Sequence, residues 1–116
     1  MQVNRAASAA AYQAPGHFGV ESIRLQGRDA GGAQFCAVSV SDYQPGAGVD
    51  ELPVDCDTVY VILSGELEVT SHDDDTTVLL GELDSVHLAR GERRSIRNRS
   101  EGVTKMLVVL APVPAA

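Results

Sequence analysis

The sequence predicts a single small all-β domain, a closed β-sandwich or barrel. After residue 17, turn-forming residues recur about every 8 to 12 positions, which is the spacing of strands in such folds. Apolar residues make up 44% of the chain and are mainly Val, Leu, Ile and Ala, with no Trp. β-Branched side chains favour strands. No stretch after residue 17 carries a helical apolar stripe longer than about two turns.

The 116 residues suffice for one domain with one core. Residues 1–16 are rich in alanine, end in Pro15-Gly16 and show no sustained period. We therefore expect an N-terminal arm that is either mobile or docked on a neighbouring molecule. The domain itself is predicted to cover residues 17–116.

Turn signals divide the domain into short strands. Glycines between residues 27 and 32 supply the positive φ of a hairpin turn, and Pro45-Gly46 is predicted to end the second strand. Ser64-Gly65, the charged run 73–75 and glycine turns near 91 and 102 separate the others. The predicted strands are 20–26, 33–43, 58–63, 66–71, 76–80, 85–89, 94–98 and 103–110.

Two of these strands are apolar on both faces. Residues 59–63 and 106–110 show no polar alternation, whereas residues 66–70 alternate. A strand covered on one face should alternate, so these two are predicted to be covered on both. The simplest second cover is another subunit, and the sequence therefore predicts a homodimer.

Charge and composition exclude several classes of partner. The formal charge of −7 argues against nucleic acid, because phosphate binding needs clustered Lys and Arg. No apolar run approaches the roughly 20 residues of a membrane helix, and the N-terminus lacks the apolar core of a secretory signal. Cys36 and Cys56 are interpreted as reduced thiols. We expect a cytoplasmic protein with no nucleic-acid or membrane partner.

Two glycine-marked segments resemble the short motifs of cupins. The first extends from Gly46 to Gly65 with the spacing of the family pattern, and the second has Gly91 and Asn98 in register. The resemblance covers roughly residues 33–111. It implies a double-stranded β-helix, or jelly-roll barrel.

The residues that hold a metal in most cupins are replaced in this chain. In the resemblance, the four ligand positions fall on Leu52, Val54, Thr58 and Arg94. Two of these side chains are aliphatic, one is a weak neutral oxygen and one is a permanent cation. The alternative spacing of the first motif substitutes Glu51 and Pro53, which restores at most one ligand. We therefore expect a cupin without a metal or other cofactor.

Strand alternation predicts an apolar pocket inside the barrel, which is the usual composition of a small-molecule site. The predicted inward residues are Leu52, Val54, Thr58, Tyr60 and Ile62 from one strand pair, and Arg94, Ile96 and Asn98 from the other. A guanidinium in such a cavity needs an anion, and a ligand carboxylate matches its fork of donors. The alternative is that Arg94 faces solvent or pairs with Glu92, Asp57 or Glu51.

Three residues are candidates for proton transfer, namely Asp57, Asp55 and His87. A buried carboxylate acts as a general base because desolvation raises its pKa, although carboxylates in loops are usually solvated. His87 is expected to point inward, with a structural role as the alternative. Cys56 is a candidate ligand-binding residue, and it would act as a nucleophile if Arg94 lowers its thiol pKa, although the sequence shows no histidine partner for it.

These residues favour a metal-independent cupin that binds a small carboxylate-bearing molecule and catalyses proton transfer, as an isomerase, epimerase, lyase or decarboxylase. One alternative is a non-catalytic binding or accessory module, as in degenerate cupins of the ethanolamine-utilisation group. Another is a metalloenzyme that uses Glu51, Asp55, Cys56 or Asp57 as ligands. The sequence leaves open whether the protein is an enzyme.

Overall fold

The strands form one antiparallel sheet that curls into a nearly closed barrel in the computed structural model, which describes residues 1–113. The predicted all-β class and jelly-roll barrel are confirmed. Helix in these residues is limited to 3₁₀ turns at Ala6–Ser8 and Arg28–Ala30. The strands are β1 (Ala11–Tyr12), β2 (His17–Gln26), β3 (Ala37–Pro53), β4 (Asp57–Ser64), β5 (Leu67–Ser71), β6 (Thr76–Leu80), β7 (Ser85–Leu88), β8 (Arg93–Arg97) and β9 (Thr104–Ala111).

Strand β3 belongs to both walls of the barrel. Its first half pairs with β2 and β9, and its second half pairs with β8 and with the start of β2. The prediction that Pro45-Gly46 ends this strand is wrong, because the chain bends there and continues to Pro53. Gly46 permits the bend with a φ of 82°, a conformation that L side chains rarely adopt. One wall thus consists of β2, β3, β9, β4 and β7, and the other of β6, β5, β8 and β3.

The interior is apolar and closely packed away from the barrel mouth, as the abundance of aliphatic residues requires. Its largest fully buried apolar side chains are those of Tyr43, Val49, Ile62, Leu67, Ile96 and Met106. They come from strands of both walls, so burial of this cluster holds the walls together.

The outer surface of the first wall carries two apolar rows. Register places Val40, Leu107 and Val61 side by side in one row and Val38, Val109 and Val59 in the next. All six side chains are half-buried in the single chain. The pattern explains why β4 and β9 lack polar alternation. The homodimer through this face stays a prediction.

The N-terminal segment packs on its own barrel. Strand β1 pairs with β2, with Ala11 opposite Ile23 and Tyr12 opposite Ser22. The Asn4 side-chain amide donates a 2.8 Å hydrogen bond to the Leu25 carbonyl. In the part of the chain that the structure describes, no helix has the length and hydropathy to cross a membrane.

Candidate functional site

A pocket of about 430 Å³ enters the barrel at the end where the N-terminal segment lies. Its volume is that of a small-molecule site. The apolar part of its wall includes Leu52, Val54, Met106, Val108 and Leu110. Its polar side chains are those of Tyr12, Gln13, His17, Arg24, Arg28, Ser41, Tyr43, Asp55, Thr58, Tyr60 and Arg94.

Arg94 is buried in this pocket, with only 8% of its surface exposed. Its Nε donates to the Tyr60 hydroxyl oxygen at 3.0 Å, and its Nη1 donates to the Leu52 carbonyl at 3.2 Å. These bonds use two of the five N–H groups of the guanidinium. Within residues 1–113, no carboxylate forms an ion pair with it.

Of the three acids that sequence analysis offered as partners for Arg94, Glu51 and Asp57 are engaged elsewhere, and Glu92 forms no ion pair within residues 1–113. Glu51 binds the neighbouring Arg93 on the outer face, with a 3.3 Å contact between Oε2 and Nη2. Asp57 binds His87. A buried cation without a carboxylate partner is costly unless an anion accompanies it, so the arrangement around Arg94 favours an anionic ligand.

His17 begins β2 at the pocket wall, opposite Val49 of β3. Its Nδ1 lies 2.9 Å from the Pro15 carbonyl oxygen, which only accepts hydrogen bonds, so Nδ1 carries the hydrogen. Nε2 then holds the lone pair. Burial lowers the pKa of His17, and the positive charge of Arg94 lowers it further. This imidazole is therefore a neutral base near neutral pH.

Arg24 supplies a second guanidinium to the pocket, and its side chain is 10% exposed. It lies over the Tyr12 ring, 4.1 Å from the centroid, in cation–π geometry. The nearest carboxylate is that of Asp29, whose Oδ1 is 3.5 Å from Nε. Sequence analysis missed Tyr12, His17 and Arg24, because β2 had no assigned position in the barrel.

The expectation that His87 points inward is wrong. In β7 the residues on either side of it, Val86 and Leu88, are the more buried ones, and His87 is exposed on the outside. Its Nε2 lies 3.0 Å from Oδ1 of Asp57, which is also exposed. His87 and Asp57, two of the three predicted proton-transfer residues, therefore lie outside the barrel. Of the three candidates, only Asp55 lines the pocket, and its role stays a prediction.

Cys56 is buried but does not line the pocket. It faces a separate hollow beside Phe35 and Arg90. Burial raises the pKa of its thiol, and the charge of Asp55 raises it further. A nucleophilic cysteine needs the opposite shift, so the predicted activation by Arg94 is wrong.

Ile96 and Asn98 lie in the barrel interior below the pocket, so their placement as ligand-binding residues is wrong. Ile96 belongs to the apolar core. The Asn98 side-chain amide donates to the carbonyls of Tyr43, Gln44 and Gly102, and its Oδ1 accepts from the Ser100 amide and hydroxyl. Asn98 therefore fixes the loop after β8 to the bend of β3.

Leu52, Val54, Thr58 and Tyr60 do line the pocket, in the predicted inward orientation. The first three, with Arg94, occupy the positions at which cupins usually hold a metal. The Thr58 hydroxyl donates to the Cys56 carbonyl at 3.0 Å, and the other two are aliphatic. Residues 1–113 contain no group of three His, Cys, Asp or Glu side chains arranged to hold a metal ion. The residues present do not fit the metal that the fold implies.

The fold and the pocket define a small cupin-type barrel, and solved structures agree. The polyketide cyclase RemF of Streptomyces resistomycificus superposes with a TM-score of 0.83 at 16% identity, covering 97% of this chain and 80% of that one. An RmlC-like cupin of Shewanella frigidimarina superposes with a TM-score of 0.77 at 13% identity, covering 97% and 92%. At these identities the likeness shows the fold alone.

Sequence similarity shows the family of the chain, which the structural likeness does not. The chain is 47% identical over 111 residues to a Mycobacterium tuberculosis protein named beta-D-galactosidase Rv1717, covering 96% of this chain and 94% of that protein. No protein-family model matches the chain. The chain belongs to the family of this mycobacterial relative, and it has the cupin fold.

Proposed function

We propose that the barrel binds a small carboxylate-bearing molecule through Arg94 and transfers a proton to or from it. The buried guanidinium is the observation that carries the proposal, because two of its N–H groups bond to protein oxygens and no acid within residues 1–113 pairs with it. A carboxylate accepts two parallel hydrogen bonds from such a fork. The aliphatic wall around Leu52 and Val54 suits the uncharged part of the molecule.

Binding is tested by calorimetric titration with a panel of small mono-, di- and keto-carboxylates, each paired with its uncharged amide. The proposal requires at least one acid to bind and its amide to bind far more weakly, since only the acid neutralises the guanidinium. If no acid binds, or if acid and amide bind alike, the carboxylate site is rejected.

His17 is the base that the geometry favours. Its ring lines the pocket and is held by the Pro15 carbonyl through Nδ1, which leaves the lone pair on Nε2, and after burial the charge of Arg94 contributes to the lowered pKa. A carboxylate on Arg94 brings the adjacent carbon of the ligand towards this wall. This assigns to His17 the role that sequence analysis gave to Asp57, Asp55 or His87.

We expect the protein to catalyse hydrogen–deuterium exchange at the C–H carbon next to the keto group of a bound keto acid, observed by proton NMR in deuterated buffer. His17→Gln should slow the exchange about 100-fold or more, the usual contribution of a general base. Because burial lowers the pKa of His17 below its ordinary 6.5, exchange should persist at a lower pH than free imidazole would support. His87→Gln, outside the barrel, is the matched control. Equal rates in the two variants would contradict the assignment.

Hydrolysis of a β-galactoside is a second candidate, favoured by the name of the 47% identical relative. Most glycosidases use two carboxyl groups, and Asp55 is the one carboxylate among the described residues that line the pocket. Tyr60 would then be the second group, since some glycosidases use a tyrosine nucleophile. Arg94 Nε already donates to its oxygen and would stabilise negative charge there.

This candidate predicts release of nitrophenol from a nitrophenyl β-galactoside. Asp55→Asn should lower kcat/KM about 100-fold or more, as loss of a general acid does. Asp57→Asn is the comparison variant, because its exposed carboxylate lies outside the barrel. Hydrolysis no faster than in buffer, or equal losses in both variants, would reject galactoside hydrolysis.

A further inference from the structure

The pocket wall opposite Arg94 carries a second cation, Arg24, whose side chain is 10% exposed. Arg24 of β2 pairs with Ser39 of β3, which pairs with Val108 of β9, which in turn pairs with Tyr60 of β4. These four residues therefore form one rung across the inner face of the first wall. The Tyr60 hydroxyl accepts a hydrogen bond from Nε of Arg94, which extends from the other wall, so Arg94 contacts the same rung from which Arg24 extends.

The protein satisfies the Arg24 guanidinium poorly. Its Nε is fully buried and has no hydrogen-bond partner among residues 1–113. The Asp29 carboxylate, 3.5 Å away, is 72% exposed and balances only part of the charge. A buried donor without an acceptor costs about 1 to 3 kcal/mol, so a ligand oxygen that reached it would recover this free energy.

Other contacts hold Arg24 ready for such a ligand. Its guanidinium rests on the Tyr12 ring, which strand β1 fixes against β2. A guanidinium held on an aromatic ring loses less conformational entropy when it binds.

Charge in the pocket is opposite to that of the whole protein. The chain has a formal charge of −7, yet the described residues that line the pocket include Arg24, Arg28 and Arg94 against one acid, Asp55. One ligand carboxylate on Arg94 would compensate half of this excess and leave one positive charge among the lining residues. A ligand with a second anionic group would neutralise both buried cations.

We propose that Arg24 forms a second anion subsite, so that the ligand of this pocket is a small dicarboxylate that spans Arg94 and Arg24. The inference rests on the proposed carboxylate site at Arg94 and adds the class of its ligand. A dicarboxylate with a short apolar chain matches both the two guanidinium groups and the aliphatic wall between them.

The test is a calorimetric comparison of dicarboxylates from butanedioate to heptanedioate with the monocarboxylates of the same chain length. The best dicarboxylate should bind the wild-type protein about 10-fold or more tightly than its monocarboxylate. Arg24→Gln should remove this preference by weakening dicarboxylates more than monocarboxylates, whereas Arg94→Gln should weaken both classes. Asp29→Asn, which removes the competing carboxylate, should strengthen dicarboxylate binding.

Arg99→Gln is the control, because this arginine is exposed and pairs with Glu68 on the surface. Arg24→Lys should retain part of the preference, which separates loss of charge from disturbed packing. If monocarboxylates bind through Arg94 and dicarboxylates bind no more tightly, the second subsite is overturned and the proposed function stands. Equal loss of both ligand classes in Arg24→Gln also overturns the subsite. Absence of any carboxylate binding overturns both.

Discussion

Arg94→Gln is expected to weaken binding of the best carboxylate about 100-fold, which would be the largest effect of any single substitution on binding. The charged, bidentate contact is lost, and a buried ligand carboxylate is left facing a neutral amide. Calorimetric titration of wild type and variant measures the change. Thermal unfolding of the free protein should show little loss of stability, because the variant also removes a buried cation without a carboxylate partner.

Arg93→Gln is the matched control, one residue away on the opposite face of β8. Its side chain is 45% exposed and pairs with Glu51, so its removal should leave carboxylate affinity within about twofold of wild type. Arg94→Lys keeps the charge but not the fork, and should fall between wild type and Arg94→Gln. Unchanged affinity in Arg94→Gln would place the carboxylate elsewhere.

Asn98→Ala is expected to have the largest effect on stability, about 3 kcal/mol, because it leaves several buried backbone groups without partners. The amide group bonds to three carbonyls and accepts two hydrogen bonds from Ser100, and the residue is 1% exposed. Unfolding in urea measures the loss. The control is Asn4→Ala, which removes one hydrogen bond near the N-terminus and should cost about 1 kcal/mol.

Asn98→Asp tests whether the donor group of the Asn98 amide is what stabilises the loop after β8. It keeps the oxygen that Ser100 contacts but replaces the donor to Tyr43, Gln44 and Gly102 with a second acceptor. It should therefore destabilise the protein at least as much as Asn98→Ala. A loss below about 1 kcal/mol in both variants would show that the loop after β8 does not depend on this side chain.

Most of the fold was predictable because inward and outward residues alternate along the strands of a barrel. The same spacing placed Arg94 inside, and the structure agrees. Position 87 contained a usable signal that was overlooked. Val86 and Leu88 are the apolar positions of β7, so alternation alone puts His87 outside.

The second arginine was harder to find, for a physical reason. In β2 the side chains of Ile23 and Leu25 lie on the outer face, whereas Ser22 and Arg24 face the interior. Apolar rows cover the outside of this wall. The hydrophobic pattern of β2 therefore predicts that its outer face is the inner one. Only pairing with β3 reveals the orientation. His17 was missed for the same reason, since pairing with β3 puts it at the pocket wall.

Residues 12–15 complete the pocket mouth, and the short strand β1 attaches them to β2. A two-residue strand that pairs with only one neighbour frays more readily than the barrel it borders. Fraying of β1 would withdraw Tyr12 from Arg24 and widen the mouth of the pocket. A bound molecule would then exchange without any opening of the barrel itself.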